Sequence, residues 1–196
     1  MAPPFENLST AEQKQNLRQR MARRLKQFLS GPDRFAADQK INMLLRDLVA
    51  AHKGLIAAFW PRDDEPQIQS VLQEVLAGGR PLAFPRVSGA EMRFVAIHDL
   101  NQLQPGPFNL LQPTWDLPPA QPSLIFVPLV AFDDHGHRLG RGKGYYDRAL
   151  AALGPPRPLT LGIAYGVQRT AQLPVAPHDV PLDAVLSEAG LHLPLD

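Results

Sequence analysis

The stretch LIFVPLVAF, residues 124–132, decides the fold, because it is the most apolar run of the chain. It is nine residues long and contains Pro128, so it is too short to cross a membrane as a helix. Short apolar runs of this kind are typical of strands that are buried on both faces of a parallel sheet. We therefore predict a central buried strand over residues 123–132.

Helices and further strands alternate on both sides of this run. Ser9 and Glu12 have the spacing of a capping box, and an apolar face follows them as far as Ser30. The remaining pattern predicts helices at 33–51, 65–77 and 145–153, and strands at 55–60, 81–85, 92–97, 159–165 and 185–186. This alternation favours an α/β fold with a largely parallel sheet, in which ligands bind at the carboxyl ends of the strands.

Prolines interrupt the pattern once, between Pro105 and Pro122, where six of them occur. Because proline cannot donate to a sheet or a helix, we predict a long ordered loop without regular structure over residues 105–122.

A glycine-rich segment, RLGRGKGYYDR at residues 138–148, follows the central strand. Its glycines, Gly140, Gly142 and Gly144, let the backbone adopt positive φ and approach a ligand closely. Successive amides at the start of the next helix attract phosphate, and Asp147 in the first turn suits a hard cation such as Mg²⁺. The segment is not a P-loop, and the alternative is a turn with solvated charges.

Composition limits the function further. The chain has 196 residues, a formal net charge of +1 and no cysteine. These values exclude disulfides and a thiolate site, and they give no support to bulk attraction to nucleic acid or membrane. We expect a single domain over residues 1–196 with an N-terminal helical segment at about 9–51, in a cytoplasmic monomer.

The segment and its surroundings closely resemble the signature of the 5-formyltetrahydrofolate cyclo-ligase family, also called 5,10-methenyltetrahydrofolate synthetases. The resemblance covers nearly the whole chain in the family's order. It is carried by Lys14 and Arg18, Trp60 and Glu65, residues 84–86, 92–94 and 126–133, Gly136, residues 138–148, Gln168, and residues 173–175, 178–179 and 181–183.

The resemblance implies a Rossmann-like, three-layer α/β sandwich and an ATP- and Mg²⁺-dependent ligase. Such an enzyme would convert 5-formyltetrahydrofolate into 5,10-methenyltetrahydrofolate, ADP and phosphate. The formyl oxygen is a poor leaving group when N10 attacks, so ATP would first phosphorylate it. The enzyme would mainly align the substrates and neutralise charge.

The resemblance also implies residue roles. ATP would be bound by Lys14, Arg18, Arg138, Leu139, Gly140, Arg141, Gly142, Lys143, Gly144, Tyr145 and Tyr146. The folate would be bound by Trp60, Glu65, Arg141, Gly142, Lys143, Gly144 and Tyr145. Arg141, Lys143 and Tyr145 would be catalytic, and Asp147 and Asp179 would hold Mg²⁺.

Each role has a structural alternative. Lys14 and Arg18 also fit a solvated basic helix, Asp147 a helix cap, and Asp179 a loop turn. Tyr145 and Trp60 also fit core aromatics, and Glu65 a carboxylate at a helix start. A cluster of two aspartates and two histidines at 133–137 resembles a metal site, but its spacing favours a polar turn.

The chain departs from the family at three positions. Many members carry Gly, Ile and Glu where this chain has Asn109, Leu110 and Gln112. Because residue 112 is a neutral amide, the chain is not expected to supply a catalytic carboxylate from that loop.

Two other functions compete with the ligase. One is a different ATP-dependent or sugar-phosphate enzyme on a related scaffold. The other is a noncatalytic nucleotide- or RNA-binding relative, which would be expected to lose Asp147, Asp179 or Glu65. All three residues remain in the sequence.

Overall fold

The computed structural model describes residues 8–107, 110–114 and 117–195. Its helices are α1 Thr10–Leu29, α2 Asp33–Ala51, α3 Gln69–Ala77 and α4 Tyr145–Ala152. Its strands are β1 Ile56–Ala57, β2 Leu82–Ser88, β3 Glu91–Ile97, β4 Leu103–Pro105, β5 Leu111–Pro113, β6 Leu124–Pro128, β7 Ala131–Phe132, β8 Arg138–Leu139, β9 Leu159–Ile163, β10 Ala184–Ser187 and β11 Gly190–His192.

Seven of the strands form the main sheet, in the order β11-β10-β9-β6-β1-β2-β3. The five inner strands run parallel, and β3 and β11 pair antiparallel with their neighbours at the two edges. The apolar run quoted above supplies β6, which lies at the centre of the order. The prediction of a largely parallel α/β sheet is confirmed.

Side chains of the inner strands alternate between two cores. Ile56, Leu82 and Phe126 face one core, which also contains apolar residues of α1, α2 and α3. Their neighbours Ala57 and Ile125 face the other core, which contains Leu150 of α4. Because successive residues of a strand point to opposite faces, the sheet is covered on both sides. The molecule is therefore a three-layer sandwich.

The N-terminal helices begin and end where the sequence predicts. Ser9 caps α1, and both hydrogen bonds of its capping box with Glu12 are formed. Leu17, Met21 and Leu25 are buried along one face of this helix. The Phe28 ring packs against Tyr165 with the ring centroids 4.9 Å apart. This packing holds α1 against the carboxyl end of β9.

The helix predicted at 65–77 begins later, at Gln69. Residues 62–68 form a loop whose polar groups bind side chains of α2. The Gln67 amide donates to Asp38 Oδ1 at 2.9 Å, and the Asn42 side chain donates to the Gln67 carbonyl at 2.8 Å. These bonds replace the first helical turn, and Pro66 has no amide to contribute to one.

The proline-rich segment contains regular structure, so that part of the prediction is wrong. Strands β4 and β5 pair antiparallel, with Leu103 opposite Pro113 and Pro105 opposite Leu111. Proline lacks a donor, but its carbonyl still accepts a hydrogen bond, and a two-stranded ribbon leaves its outer edges unpaired. The prolines therefore fit into a short hairpin.

The predicted strand at 123–132 is divided into two. Strand β6 ends at Pro128, and Ala131–Phe132 pairs with Arg138–Leu139 in a separate hairpin. The turn of this hairpin is the polar cluster at 133–137. Asp133 Oδ1 accepts hydrogen bonds from the amides of His135 and His137, each at 3.0 Å. The prediction of a polar turn is confirmed.

The predicted strand at 55–60 is shorter than expected, since only Ile56–Ala57 belongs to the sheet. The last predicted strand is longer and is followed by β11, which the sequence analysis did not predict. Among the described residues, no helix is both long and apolar enough to cross a membrane.

Candidate active site

A cleft of about 920 Å³ opens at the carboxyl ends of β1 and β6. It is bounded by α1, the loop at 62–65, the β2–β3 hairpin, the start of α4 and the loop at 177–180. Every site residue that the sequence analysis named lines it: Lys14, Arg18, Trp60, Glu65, Arg138, Leu139, Gly140, Arg141, Gly142, Lys143, Gly144, Tyr145, Tyr146, Asp147 and Asp179.

The glycine-rich segment takes the backbone shape that its glycines permit, at two of the three positions. Gly142 has φ +94° and Gly144 has φ +64°, whereas Gly140 is not among the glycines with positive φ. Gly144 is the N-cap of α4, so the first-turn amides of this helix lie at the cleft. A Cβ atom at Gly142 would lie 3.3 Å from Cζ of Arg18. The close approach of the segment to α1 therefore depends on Gly142.

Two cations of α1 point into the cleft one helical turn apart. Arg18 Nε donates to the Gly140 carbonyl at 2.8 Å, and Lys14 forms an ion pair with Asp179. The Lys14 side chain is only 13% exposed. Burial lowers the pKa of Arg18, and the charge of Asp179 partly offsets this effect. Both side chains lie at the cleft rather than on a solvated helix face.

Asp179 lies in the loop before Val180 and holds a well-defined position. Its Oδ2 accepts from the Ala176 amide at 2.7 Å in addition to Lys14. Burial alone would raise the pKa of Asp179, but the hydrogen bonds from Lys14 and Ala176 lower it overall. The carboxylate is therefore kept charged.

Asp147 is held by a buried arginine. Arg138 Nη2 donates to Asp147 Oδ1 at 2.7 Å, and Nη1 of the same guanidinium donates to the Val180 carbonyl. The Val180 amide donates to Asp147 Oδ1 at 3.3 Å. Burial lowers the pKa of Arg138, and the charge of Asp147 opposes the shift. The side chain of Arg138 thus positions Asp147 and joins α4 to the 177–180 loop.

The two aspartates offer only oxygen atoms, which are the ligands that Mg²⁺ prefers. No group of three or more acidic, histidine or cysteine side chains that could hold a metal occurs in the described part of the chain. Asp147 and Asp179 therefore fit Mg²⁺ only if phosphate oxygens and water complete its shell.

Glu65 lies on the opposite wall of the cleft and is 5% exposed. Its Oε2 accepts from the Arg62 amide at 3.0 Å, and its Oε1 accepts from Arg141 Nη2 at 3.0 Å. The same Nη2 donates to Asp64 Oδ1 at 2.7 Å. Burial would lower the pKa of Arg141, but the Asp64 hydrogen bond and both carboxylate charges raise it. Arg141 thus links the glycine-rich segment to the wall that carries Trp60 and Glu65.

The start of α4 is also fastened to the tip of the β2–β3 hairpin. The Tyr145 hydroxyl donates to the Gly89 carbonyl at 2.9 Å, and Arg148 Nη2 donates to the Ala90 carbonyl at 3.0 Å. The Arg148 guanidinium lies 5.2 Å from the centroid of the Tyr145 ring. No role was predicted for Arg148. Its position on α4, one turn after Tyr145, is nevertheless a sequence signal that the two side chains interact.

The apolar half of the cleft includes residues to which the sequence analysis assigned no role. They are Pro85, Val87, Met92, Leu110 and Leu111. Gln112 is 6% exposed, and its side-chain oxygen accepts from the Val87 amide at 3.1 Å. The Gln112 side chain thus joins the β4–β5 hairpin to β2. A neutral side chain can occupy this buried position because its oxygen accepts this hydrogen bond. Asn109, another departure from the family, lies outside the described residues.

Comparisons with known proteins place the chain in a known family. The model of the 5-formyltetrahydrofolate cyclo-ligase family matches residues 10–188. The 5-formyltetrahydrofolate cyclo-ligase of Escherichia coli K12 is 31% identical over 147 residues, which cover 71% of this chain and 80% of the relative. The mouse protein of the same name is 30% identical and covers 89% of this chain and 93% of its own.

Solved structures agree as well. The NMR structure of Aquifex aeolicus 5,10-methenyltetrahydrofolate synthetase superimposes with a TM-score of 0.80 at 31% identity and covers 93% of each chain. The Mycoplasma pneumoniae synthetase superimposes with a TM-score of 0.67 at 25% identity, covering 89% of this chain and 98% of that one. By sequence and by structure, the chain belongs to the 5-formyltetrahydrofolate cyclo-ligase family.

Proposed function

We propose that the protein converts 5-formyltetrahydrofolate into 5,10-methenyltetrahydrofolate, using ATP and releasing ADP and phosphate. Family membership supports the reaction, because the curated relatives carry the name of this ligase. The observation that carries the proposal is the cleft, in which a phosphate-binding segment faces an apolar wall with a buried glutamate. A triphosphate and a folate can meet in such a cleft.

The proposed reaction has two steps. The formyl oxygen attacks the γ-phosphorus of ATP, so that the bond between this phosphorus and the bridging oxygen breaks and ADP leaves. N10 of the folate then attacks the activated formyl carbon, and loss of phosphate and of the N10 proton gives the methenyl ring. The protein supplies alignment and positive charge for the first step.

The ATP half of the proposal uses the positive wall of the cleft. Lys14 and Arg18 bind phosphate oxygens from α1, and the backbone amides of residues 138–146 bind them from the other side. Arg141 and Lys143 donate to the transferred phosphoryl group. Arg141 has donors for this purpose, because only its Nη2 forms hydrogen bonds to the described residues.

The folate half of the proposal uses the opposite wall. Glu65 accepts hydrogen bonds from the pterin, and Trp60 packs against the pterin as part of the apolar wall. Tyr145 presents its ring rather than its hydroxyl, since the hydroxyl already donates to the Gly89 carbonyl.

Asp147 and Asp179 are the residues that would hold Mg²⁺. Bound there, the ion would neutralise charge on the phosphate oxygens. Arg138 and Lys14 keep the two carboxylates in place, so both are oriented before any ligand arrives.

One assay tests the proposal. Purified protein is incubated with 5-formyltetrahydrofolate, Mg²⁺ and ATP, and the absorbance of methenyltetrahydrofolate is followed. We expect product only when ATP is present, with one ADP formed for each product molecule. Absence of ATP-dependent product would refute the proposed function, and ATP binding without turnover would instead fit a noncatalytic relative.

We also propose that residues 1–196 act as one domain and as a monomer. Strands of the main sheet come from residues as far apart as 56 and 192, and the family model spans 10–188 without a break. The molar mass measured by light scattering at micromolar concentration will test whether the protein is a monomer.

A further inference from the structure

The loop at 62–67 holds its backbone in a fixed position beside the cleft. The Gln67 side chain donates to the carbonyls of Arg62 and Glu65 at 2.8 and 2.6 Å. The Tyr165 hydroxyl donates to Asp38 Oδ1 at 2.8 Å and lies 3.2 Å from the Glu65 carbonyl oxygen. Because several elements hold this loop, the backbone that carries the side chains of Asp64 and Glu65 is held in place.

Two adjacent carboxylates of this loop share one nitrogen of Arg141. Nη2 carries two hydrogens, and it donates to Asp64 at 2.7 Å and to Glu65 at 3.0 Å. Asp64 does not line the cleft, whereas Glu65 does. The shorter bond is therefore made by the carboxylate that stays outside the ligand's reach.

The shared nitrogen creates a competition once Glu65 binds the folate. A pterin donor would then share the Glu65 carboxylate with Arg141 Nη2, which binds Oε1, and with the Arg62 amide, which binds Oε2. With Glu65 as its only acidic partner, the Arg141 guanidinium would be drawn to the same charge that binds the folate and would weaken the folate's hydrogen bond. A second carboxylate outside the cleft removes this conflict.

We propose that Asp64 is a positioning residue, which keeps Nη2 of Arg141 at the 62–67 loop while Glu65 accepts a hydrogen bond from the folate. This inference rests on the proposed function, because it assigns the folate to Glu65 and the phosphoryl group to Arg141.

Asp64 is expected to contribute little to the stability of the fold. Its side chain and that of Arg141 are each 42% exposed, and ion pairs in such places contribute little to the free energy of unfolding. The effect of removing Asp64 is therefore expected in substrate binding rather than in the melting temperature.

The experiment compares Asp64→Asn with Asp63→Asn. Both substitutions remove one negative charge from neighbouring positions, but Asp63 is exposed and its side chain makes none of these contacts. We expect Asp64→Asn to raise KM for 5-formyltetrahydrofolate about three- to tenfold, the range for losing one hydrogen bond of ordinary net strength. The value of kcat should change less than about twofold relative to the wild type. Asp63→Asn should match the wild type, and Asp64→Glu should restore most of the affinity.

Calorimetry of 5-formyltetrahydrofolate binding without ATP provides a second readout. The dissociation constant should rise by the same factor in Asp64→Asn. In an Arg141→Gln background, Asp64→Asn should cause no further change, because the partner through which Asp64 acts is absent.

Each outcome decides the inference. Equal KM and dissociation constants for Asp64→Asn and Asp63→Asn would overturn it while leaving the proposed function intact. A full effect of Asp64→Asn in the Arg141→Gln background would also overturn it. If the wild-type protein binds the folate without turnover, only the proposed function is refuted. The role of Asp64 is then still tested by comparing the calorimetric dissociation constants of the variants. A wild type that neither binds nor turns over the folate overturns both.

Discussion

Replacing Gly142 by alanine tests the link between backbone shape and phosphate binding. Gly142 has φ +94°, a conformation that L-residues adopt at a cost of about 1 to 2 kcal/mol. The new Cβ would also lie 3.3 Å from Cζ and 3.4 Å from Nη2 of Arg18. The guanidinium would have to shift by a few tenths of an ångström, away from the Gly140 carbonyl that it now contacts. The substitution therefore combines backbone strain with displacement of a cation.

Gly140 provides the matched control, since it is two residues away in the same segment. It is not among the glycines with positive φ, and a Cβ there would meet nothing within 4 Å. Gly140→Ala should leave the free protein unchanged. A loss of about 1 kcal/mol in Gly142→Ala should lower its melting temperature by about 2 to 4 °C.

Kinetics of methenyltetrahydrofolate formation measure the functional effect. We expect Gly142→Ala to raise KM for ATP about five- to thirtyfold, if 1 to 2 kcal/mol of binding energy is lost. KM for the folate should change less. Equal melting temperatures and equal KM values for the two variants would refute the argument from backbone conformation. A larger KM effect in Gly140→Ala would show that close approach of the ligand, rather than strain, makes the glycines necessary.

Three further predictions concern single side chains. Arg18→Ala should raise KM for ATP about tenfold, because one charged hydrogen-bond donor to phosphate is lost, and steady-state kinetics at saturating folate will show it. Asp147→Asn should abolish turnover across a Mg²⁺ titration while circular dichroism stays native; activity at ordinary Mg²⁺ would contradict the metal role. Asp179 has a lowered pKa when folded, so its contribution to stability is complete above its unfolded pKa near 4 and is lost as pH falls through the folded value. Acid unfolding below pH 4 should therefore depend less steeply on pH in Asp179→Asn.

The central sheet was predictable because its signals are local. The apolar run at β6 is bounded by prolines, and the alternation of strands with helices follows from patterns within about 20 residues. The same holds for α1, whose capping box lies within four residues. Element boundaries were less accurate, as in the helix that begins at Gln69, since distant side chains of α2 replace its first turn.

The residues that line the cleft were predictable from the sequence, whereas the contacts between them were not. The order of the motifs indicated that Lys14, Glu65 and Asp179 belong to one site, and all three line the cleft. The pairing of Arg141 with Asp64 had no sequence signal, because the two residues are 77 positions apart and Asp64 belongs to no quoted motif. The partner of Asp147 was also missed, because Arg138 was assigned to the nucleotide and its side chain is buried.

The bonds between the start of α4 and the β2–β3 turn have a consequence for cleft size. Since Tyr145 and Arg148 are hydrogen-bonded to Gly89 and Ala90, the hairpin tip and the glycine-rich segment are held at a fixed separation. Strands β2 and β3 each have seven residues, a length of about 23 Å, and their apolar side chains form one wall. The number of residues in this hairpin therefore determines the width of the cleft. Adding two residues to each strand is expected to widen the cleft without changing the other residues that line it.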